Sequence, residues 1–158
     1  MAYIKAVYSD LNQCCDEFVR GVELLEQCSI NDSVQYFRRA RDSVFESHQL
    51  HTKYTSYYGL SLLLNGNESA VDICRKAMLQ TPADGDVCLN LARAEVFLSN
   101  RYAALKVIEK GLCFSSEHVG LKTLKVSLGV RNRKPLPFLS RANPVSTALG
   151  KRMRKKHR

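Results

Sequence analysis

The sequence predicts an all-α fold assembled from antiparallel helical hairpins, and three observations carry that prediction. Strand signals are scarce, with few alternating β-branched runs, no Asn-Gly or Asp-Gly hairpin joining such runs, and prolines only at 82, 135, 137 and 144. Apolar residues recur instead at the 3.6-residue period of buried helices. The helical pattern itself then recurs about every 34 residues, which marks a repeat architecture rather than a single irregular bundle.

The third hairpin, over residues 85–115, is the clearest. In "GDVCLNLARAEVFLSN" the residues Val87, Leu91, Ala94 and Leu98 share one helical face, with Ala92 and Phe97 beside it. After Ser99 and Asn100, "RYAALKVIEKGLCF" begins a second helix of the same kind, so the connection is a tight helix-to-helix turn. Sliding the chain along itself finds the second hairpin, over 52–82. Ala70, Cys74 and Ala77 precede Ala104, Ile108 and Gly111 by 34 residues, and Tyr58-Gly59 precede Leu91-Ala92 by 33 because the turn "NGNES" is one residue tighter. The first hairpin, over 14–47, places Ser33, Phe37 and Ala40 37 residues before Ala70, Cys74 and Ala77, with Gly21 in the place of Gly59 and Ala92. A longer connection near "SVFESHQLH" accounts for the looser first interval.

Each recurring position has a packing reason. Gly21, Gly59 and Ala92 let the two helices of a hairpin touch, and Ser33, Ala70 and Ala104 do the same from the opposite helix. Phe37, Cys74 and Ile108 fill the space toward the next hairpin, and Pro82 stops a helix before the third copy. A generic six-helix bundle is the competing arrangement. Three small-residue sets at near-constant spacing decide against it.

These residues resemble the tetratricopeptide repeat, with degenerate copies over about residues 14–118: there is no Trp, Arg20 falls where Leu is usual, Glu95 replaces the aromatic and Ser116 the late proline. The resemblance implies a right-handed superhelix whose first helices line a concave groove, a surface for peptides and partner proteins. By resemblance the groove carries Cys15, Phe18, Val22 and Leu25 from the first copy. Lys53, Ser56, Leu60, Leu63 and Leu64 come from the second, and Asp86, Leu89, Asn90, Arg93, Val96 and Phe97 from the third. The lining is mainly apolar, so the implied ligand is an extended strand with bulky side chains or an amphipathic helix. Only Asn90, Arg93 and Lys53 offer anything like the family's carboxylate clamp. If the register is one residue off, the same side chains are core.

Beyond the third copy, "VGLKTLKVSLGV" places Val119, Leu121, Leu124 and Leu128 at helical spacing with Lys122 and Lys125 opposite, as a capping helix that closes a helical-repeat domain spanning residues 1–130. Residues 131–158 form a distinct Pro-containing, basic segment. "RNRKPLPFLSRANP" holds three of the four prolines together with Leu136, Phe138 and Leu139, which reads as an extended stretch lying on the protein's own surface. A short helix is expected in "VSTALGKRMRKK", capped by Ser146 or Asn143.

Of the 24 basic and 15 acidic side chains, residues 1–117 hold 12 Lys/Arg and all 15 Asp/Glu, whereas residues 118–158 hold 12 Lys/Arg and no acid. Charge is therefore segregated, −3 against +12. The closing octet "KRMRKKHR" concentrates Lys151, Arg152, Arg154, Lys155, Lys156 and Arg158. Such a run suits a solvated tail, a nucleic acid or other polyanion, an import address, or an acidic protein partner. No aromatics interleave with it to stack on bases, and Leu149 and Met153 are too little for membrane adhesion.

No apolar run of membrane-spanning length and no secretory signal is present, so a cytoplasmic protein is expected. Cys14, Cys15, Cys28, Cys74, Cys88 and Cys113 fall mostly inside apolar helical patterns and are expected to be reduced. No C-x-x-C, phosphate loop, nucleophile elbow or His-Glu-x-x-His occurs. The expectation is a non-enzymatic adaptor needing neither metal nor cofactor, and with no small-molecule substrate. The alternatives are an RNA-, DNA- or ribosome-associated protein using its tail, and a secretion-chaperone-like repeat protein.

Overall fold

The computed structural model describes residues 14–129, and within them the chain is helical with no strand. Seven helices follow in order: α1 (Asp16–Glu26), α2 (Ile30–Asp42), α3 (His51–Leu64), α4 (Val71–Gln80), α5 (Gly85–Phe97), α6 (Arg101–Phe114) and α7 (Val119–Ser127), with a 3-10 turn at Glu68–Ala70 leading into α4. Each helix packs on the next one in sequence, and α3 also meets α5 while α5 meets α7. Contacts are thus between neighbours along the chain. The compact unit closes at Leu128. The segments 1–13 and 130–158, including the "PLPFL" stretch and the basic octet, lie outside the described residues.

The repeat is visible in the backbone itself. α1, α3 and α5 all end in the same double-bonded turn, with a left-handed residue two past the helix: Cys28 (φ 61°), Gly66 (φ 96°) and Ser99 (φ 60°). In each, the left-handed residue donates its N–H to a carbonyl three back (Leu25, Leu63, Val96). The following residue donates to one five back, Ser29 to Leu24 at 2.9 Å, Asn67 to Leu62 at 3.0 Å and Asn100 to Glu95 at 2.8 Å. Those last three residues are also the N-caps of the next helical stretch, so each turn ends one helix and starts another without a linker. The tighter "NGNES" turn is accommodated by the 3-10 residues, whose larger rise per residue replaces the missing one. The looser first interval is the loop between Asp42 and His51, against short connections before α5 and α7.

Only glycine adopts a left-handed conformation without penalty, so two of the three turns carry strain of about 1 kcal/mol each. Cys28→Gly and Ser99→Gly are each expected to stabilise by roughly 0.5–1 kcal/mol, and Gly66→Ala to destabilise similarly, read as shifts in urea midpoint at constant m-value.

Packing follows the small-residue positions. A Cβ on Gly21 would sit 2.8 Å from the Phe37 ring, and one on Gly59 would sit 3.0 Å from Cys74 and Ile73. Ser33, Ala70, Ala104, Phe37, Cys74 and Ile108 are all buried, as their recurrence predicts. Two core clusters result. Phe18, Val22, Phe37, Ala40, Tyr54 and Tyr57 fill the space between α1, α2 and α3, and Leu60, Leu63, Cys74, Val87, Leu89, Ile108 and Leu121 anchor the larger cluster. α3 supplies both, with aromatics to one and leucines to the other. That is why it is buried on nearly every face.

One expectation needs correction here, and one departure from the pattern finds its reason. Leu121, Leu124 and Leu128 turn toward the core as expected, but Val119 does not join them and is 42% exposed. Glu95, out of place by the repeat pattern, is a buried carboxylate held by Arg75 at 2.8 Å and by the Asn100 amide at 3.0 Å. It ties α4, α5 and the third turn together.

Candidate functional site

Most of the side chains assigned by sequence to a groove are inside the protein. Phe18 and Val22 belong to the aromatic cluster, and Leu60, Leu63 and Leu89 to the larger one; Lys53 and Asn90 are also buried. The reason is the seam between successive first helices. α1 meets α3 through Phe18 against Tyr54 and Tyr57, and α3 meets α5, so a large apolar residue on the inner face is drawn into that seam rather than presented to a ligand. Leu25, Leu64, Arg93 and Val96 remain half-buried, and Phe97 is 51% exposed.

What remains open has an order to it. Counting back from the three repeated turns, Leu25, Leu63 and Val96 are equivalent positions, as are Glu26, Leu64 and Phe97. Leu63 is core, so the accessible apolar side chains on the last turns of α1, α3 and α5 are Leu25, Leu64, Val96 and Phe97, with Arg93 one turn behind Phe97. Partial burial raises the Glu26 carboxyl above its ordinary value, opposed by the charge of Arg93.

At the opposite, N-terminal ends of α3 and α5 lies a polar ladder. Lys53 on α3 holds Asp86 on α5, Nζ to Oδ2 at 2.9 Å, and the other oxygen of Asp86 lies 3.1 Å from Nε2 of His118, the N-cap of α7. Nδ1 of His118 accepts the Leu121 N–H, so its ring proton sits on Nε2 and donates to Asp86. One carboxylate thus links the first helices of the second and third hairpins to the capping helix. Gly85 has no side chain because one would collide with the His118 ring. Beside the ladder, the Asn90 amide donates to Ser56 Oγ at 3.0 Å, and Ser56 donates to the Lys53 carbonyl.

Electrostatics makes the ladder self-contained. Burial alone would raise the Asp86 carboxyl, but the His118 hydrogen bond and the Lys53 charge outweigh it and hold it below its ordinary value. Burial pulls the Lys53 ammonium down, and Asp86 outweighs that in turn, leaving it raised. A lysine already neutralised by an internal carboxylate is poorly placed to clamp a ligand's carboxylate, and Asn90 is engaged too. Arg93 is the one clamp-like residue left partly open. Lys53, Asp86 and His118 are spaced 33 and 32 residues apart, near the repeat period, and that recurrence of polar residues was the available signal for the ladder.

The cysteines divide by environment. Cys28 and Cys113 are exposed thiols, whereas Cys74 and Cys88 are buried, and burial pushes their pKa up to about 12 and about 11. Alkylation at neutral pH is expected to label Cys28 and Cys113 first, with Cys74 and Cys88 reacting only on unfolding. Because the buried thiols titrate above their ordinary value of 9.0, the stability they contribute is full below that pH and is lost as pH rises toward their folded values. Peptide mapping after timed labelling checks the order.

Among the described residues no group of three or more His, Cys, Asp or Glu side chains is placed to hold a metal ion, and no helix is long and apolar enough to cross a membrane. No family model matches the sequence, and a search of the curated proteins finds no match.

Proposed function

We propose that this chain is a non-enzymatic, cytoplasmic protein-interaction module of the tetratricopeptide type, a right-handed stack of three hairpins that takes a partner segment along the open edge of its first helices. One observation carries this reading: the accessible side chains Leu25, Leu64, Val96 and Phe97 with Arg93 fall on repeat-equivalent turns, beside a seam in which Lys53 and Asp86 already hold each other. The ligand is an extended or helical segment with apolar anchors, matched to a shallow apolar edge rather than to a deep cleft. The ten Lys/Arg and no acid of residues 131–158 favour a second reading, contact with a nucleic acid or another polyanion through the tail.

A photo-crosslinking residue at position 97 tests the first reading, with position 45, where Phe45 is 87% exposed, as the control. Position 97 is expected to capture a specific partner that position 45 does not, with capture largely independent of salt and lost with Arg93→Glu. Equal capture at both positions, or capture that disappears with salt and with removal of residues 151–158, rejects it in favour of the tail.

A further inference from the structure

Charge on the hairpins is layered. The second helices α2, α4 and α6 carry eight Lys/Arg against four Asp/Glu, net +4, whereas the first helices α1, α3 and α5 carry three against six, net −3. Most of the second-helix acids are already held: Asp42 by Arg38 and Arg41, Asp72 by Arg75, and Asp32 by the Ser29 hydroxyl. The cations left over fall in a pattern. Arg39, Lys76 and Lys110 each stand two residues after the buried repeat residue Phe37, Cys74 or Ile108, so they take the same place on their helices. All three are exposed and have no ion-pair partner among the described residues, and Glu109, beside Lys110, is the one acid of these helices left unheld. One free cation per hairpin at a repeated position matches a ligand whose negative charges also repeat.

The middle cation stands at a cavity. Lys76, His51, Thr55 and Gln80 line a volume of about 310 Å³ between α3, α4 and the loop that precedes α3. His51 is the first residue of α3, so the positive end of that helix is at the cavity too. Glu46 is the one acid in the lining, and it is an acceptor for the exocyclic amine of a base. Aromatic rings accompany the cations on both sides. The Arg39 guanidinium lies 5.6 Å from the half-buried Tyr36 ring, and the Lys106 ammonium lies 4.6 Å from the ring of Tyr102, which is 71% exposed. Cations with accessible rings beside them are what a single strand requires, charge for its phosphates and ring faces for its unstacked bases. An acidic peptide would use the cations and leave the rings idle.

We propose that the second-helix face of the hairpins binds single-stranded nucleic acid, with phosphates along Arg39, Lys76 and Lys110, one nucleotide in the Lys76 cavity, and bases stacked on Tyr36 and Tyr102. The site uses neither the edge ending at Phe97 nor the closing octet, so capture of a partner at position 97 should persist when this face is disabled.

The test uses the full chain and a fluorescent single-stranded oligoribonucleotide, followed by anisotropy across a salt series. Binding is expected to weaken with salt. Arg39→Gln/Lys76→Gln/Lys110→Gln should lower the slope of log affinity against log salt by about 2, at roughly 0.7 per phosphate contact, with affinity down about tenfold or more at low salt. Basic residues beyond 130 that bind by charge alone keep their share of the slope in this variant, so they do not imitate the result. Tyr36→Ala/Tyr102→Ala should cost about tenfold for the oligonucleotide and nothing for inorganic polyphosphate, because only a base stacks. Thiouridine placed along the strand should crosslink to peptides carrying Tyr36, Lys76 or Tyr102 in the unaltered protein, a readout that needs no variant to fold. An unchanged slope in the triple variant, crosslinks confined to residues outside α2, α4, α6 and the cavity, or equal loss of polyphosphate in the tyrosine variant overturns the proposal. So do phosphatidylserine vesicles that bind through the same three cations more tightly than the strand does.

Discussion

Asp86→Ala is expected to cost about 3–5 kcal/mol, a large share of the roughly 5–15 kcal/mol that holds a domain of this size together. The cost does not come from the value of the Lys53–Asp86 pair as such, since a buried ion pair often does no better than apolar residues of the same volume. It comes from what the substitution leaves behind. The Lys53 ammonium, with 8% of the residue exposed, would keep its desolvation penalty and lose its carboxylate, while the His118 N–H would lose its acceptor and the cap of α7 its orientation. Lys53→Met/Asp86→Leu should therefore recover most of the loss, and Lys53→Met alone should cost less than Asp86→Ala because Asp86 keeps His118. Urea unfolding of the four proteins makes the comparison. If Asp86→Ala stays within 1 kcal/mol of the parent, the ladder is solvated and Lys53 finds water.

The ladder also shapes the response to pH. With its pKa held below its ordinary value of 3.8, Asp86 contributes stability that is present above that pH and lost as pH falls through the lowered folded value. Lys53, raised above its ordinary 10.5, contributes stability that is present below that pH and lost as pH rises through the folded value. Asp86→Asn should flatten the acid limb of the stability profile.

The helices and their pairing were legible in the sequence because they rest on local periods: apolar spacing, small residues at helix contacts, and Pro82 after α4. The open surface was less legible, since period alone says which face of a helix is inward but not whether the inward face meets a neighbour or a ligand. Phe18 and Leu60 were therefore assigned to a groove and proved to be core, while Phe97, in the same pattern, remained open. The charged ladder was missed for a related reason. Lys53 and Asp86 were both placed on the inner face, but nothing local shows that residues 33 apart will meet at 2.9 Å or that His118 will join them.

Phe18→Ala is expected to match Asp86→Ala in size, about 3–5 kcal/mol, by a different route. The ring stacks on Tyr54 at 4.6 Å, meets Tyr57 edge-on at 4.9 Å and lies 5.7 Å from Phe37, so its removal opens a cavity walled by three aromatic side chains. Tyr54 cannot simply tilt into the space, because its hydroxyl accepts the Cys15 N–H at 3.1 Å. Since contacts run between neighbouring helices, the loss should also be local: amide exchange is expected to speed up over α1 and α2 long before α5 and α6, and the Phe37 ring should lose its fixed environment. Phe97→Ala supplies the contrast. Half-exposed at the open edge, Phe97 should change stability by no more than about 0.5 kcal/mol while abolishing capture of a partner there. A Phe18→Ala protein that melts like its parent yet fails to bind would return α1 to the role of a ligand surface, because a ring that costs nothing to remove cannot be holding two hairpins together.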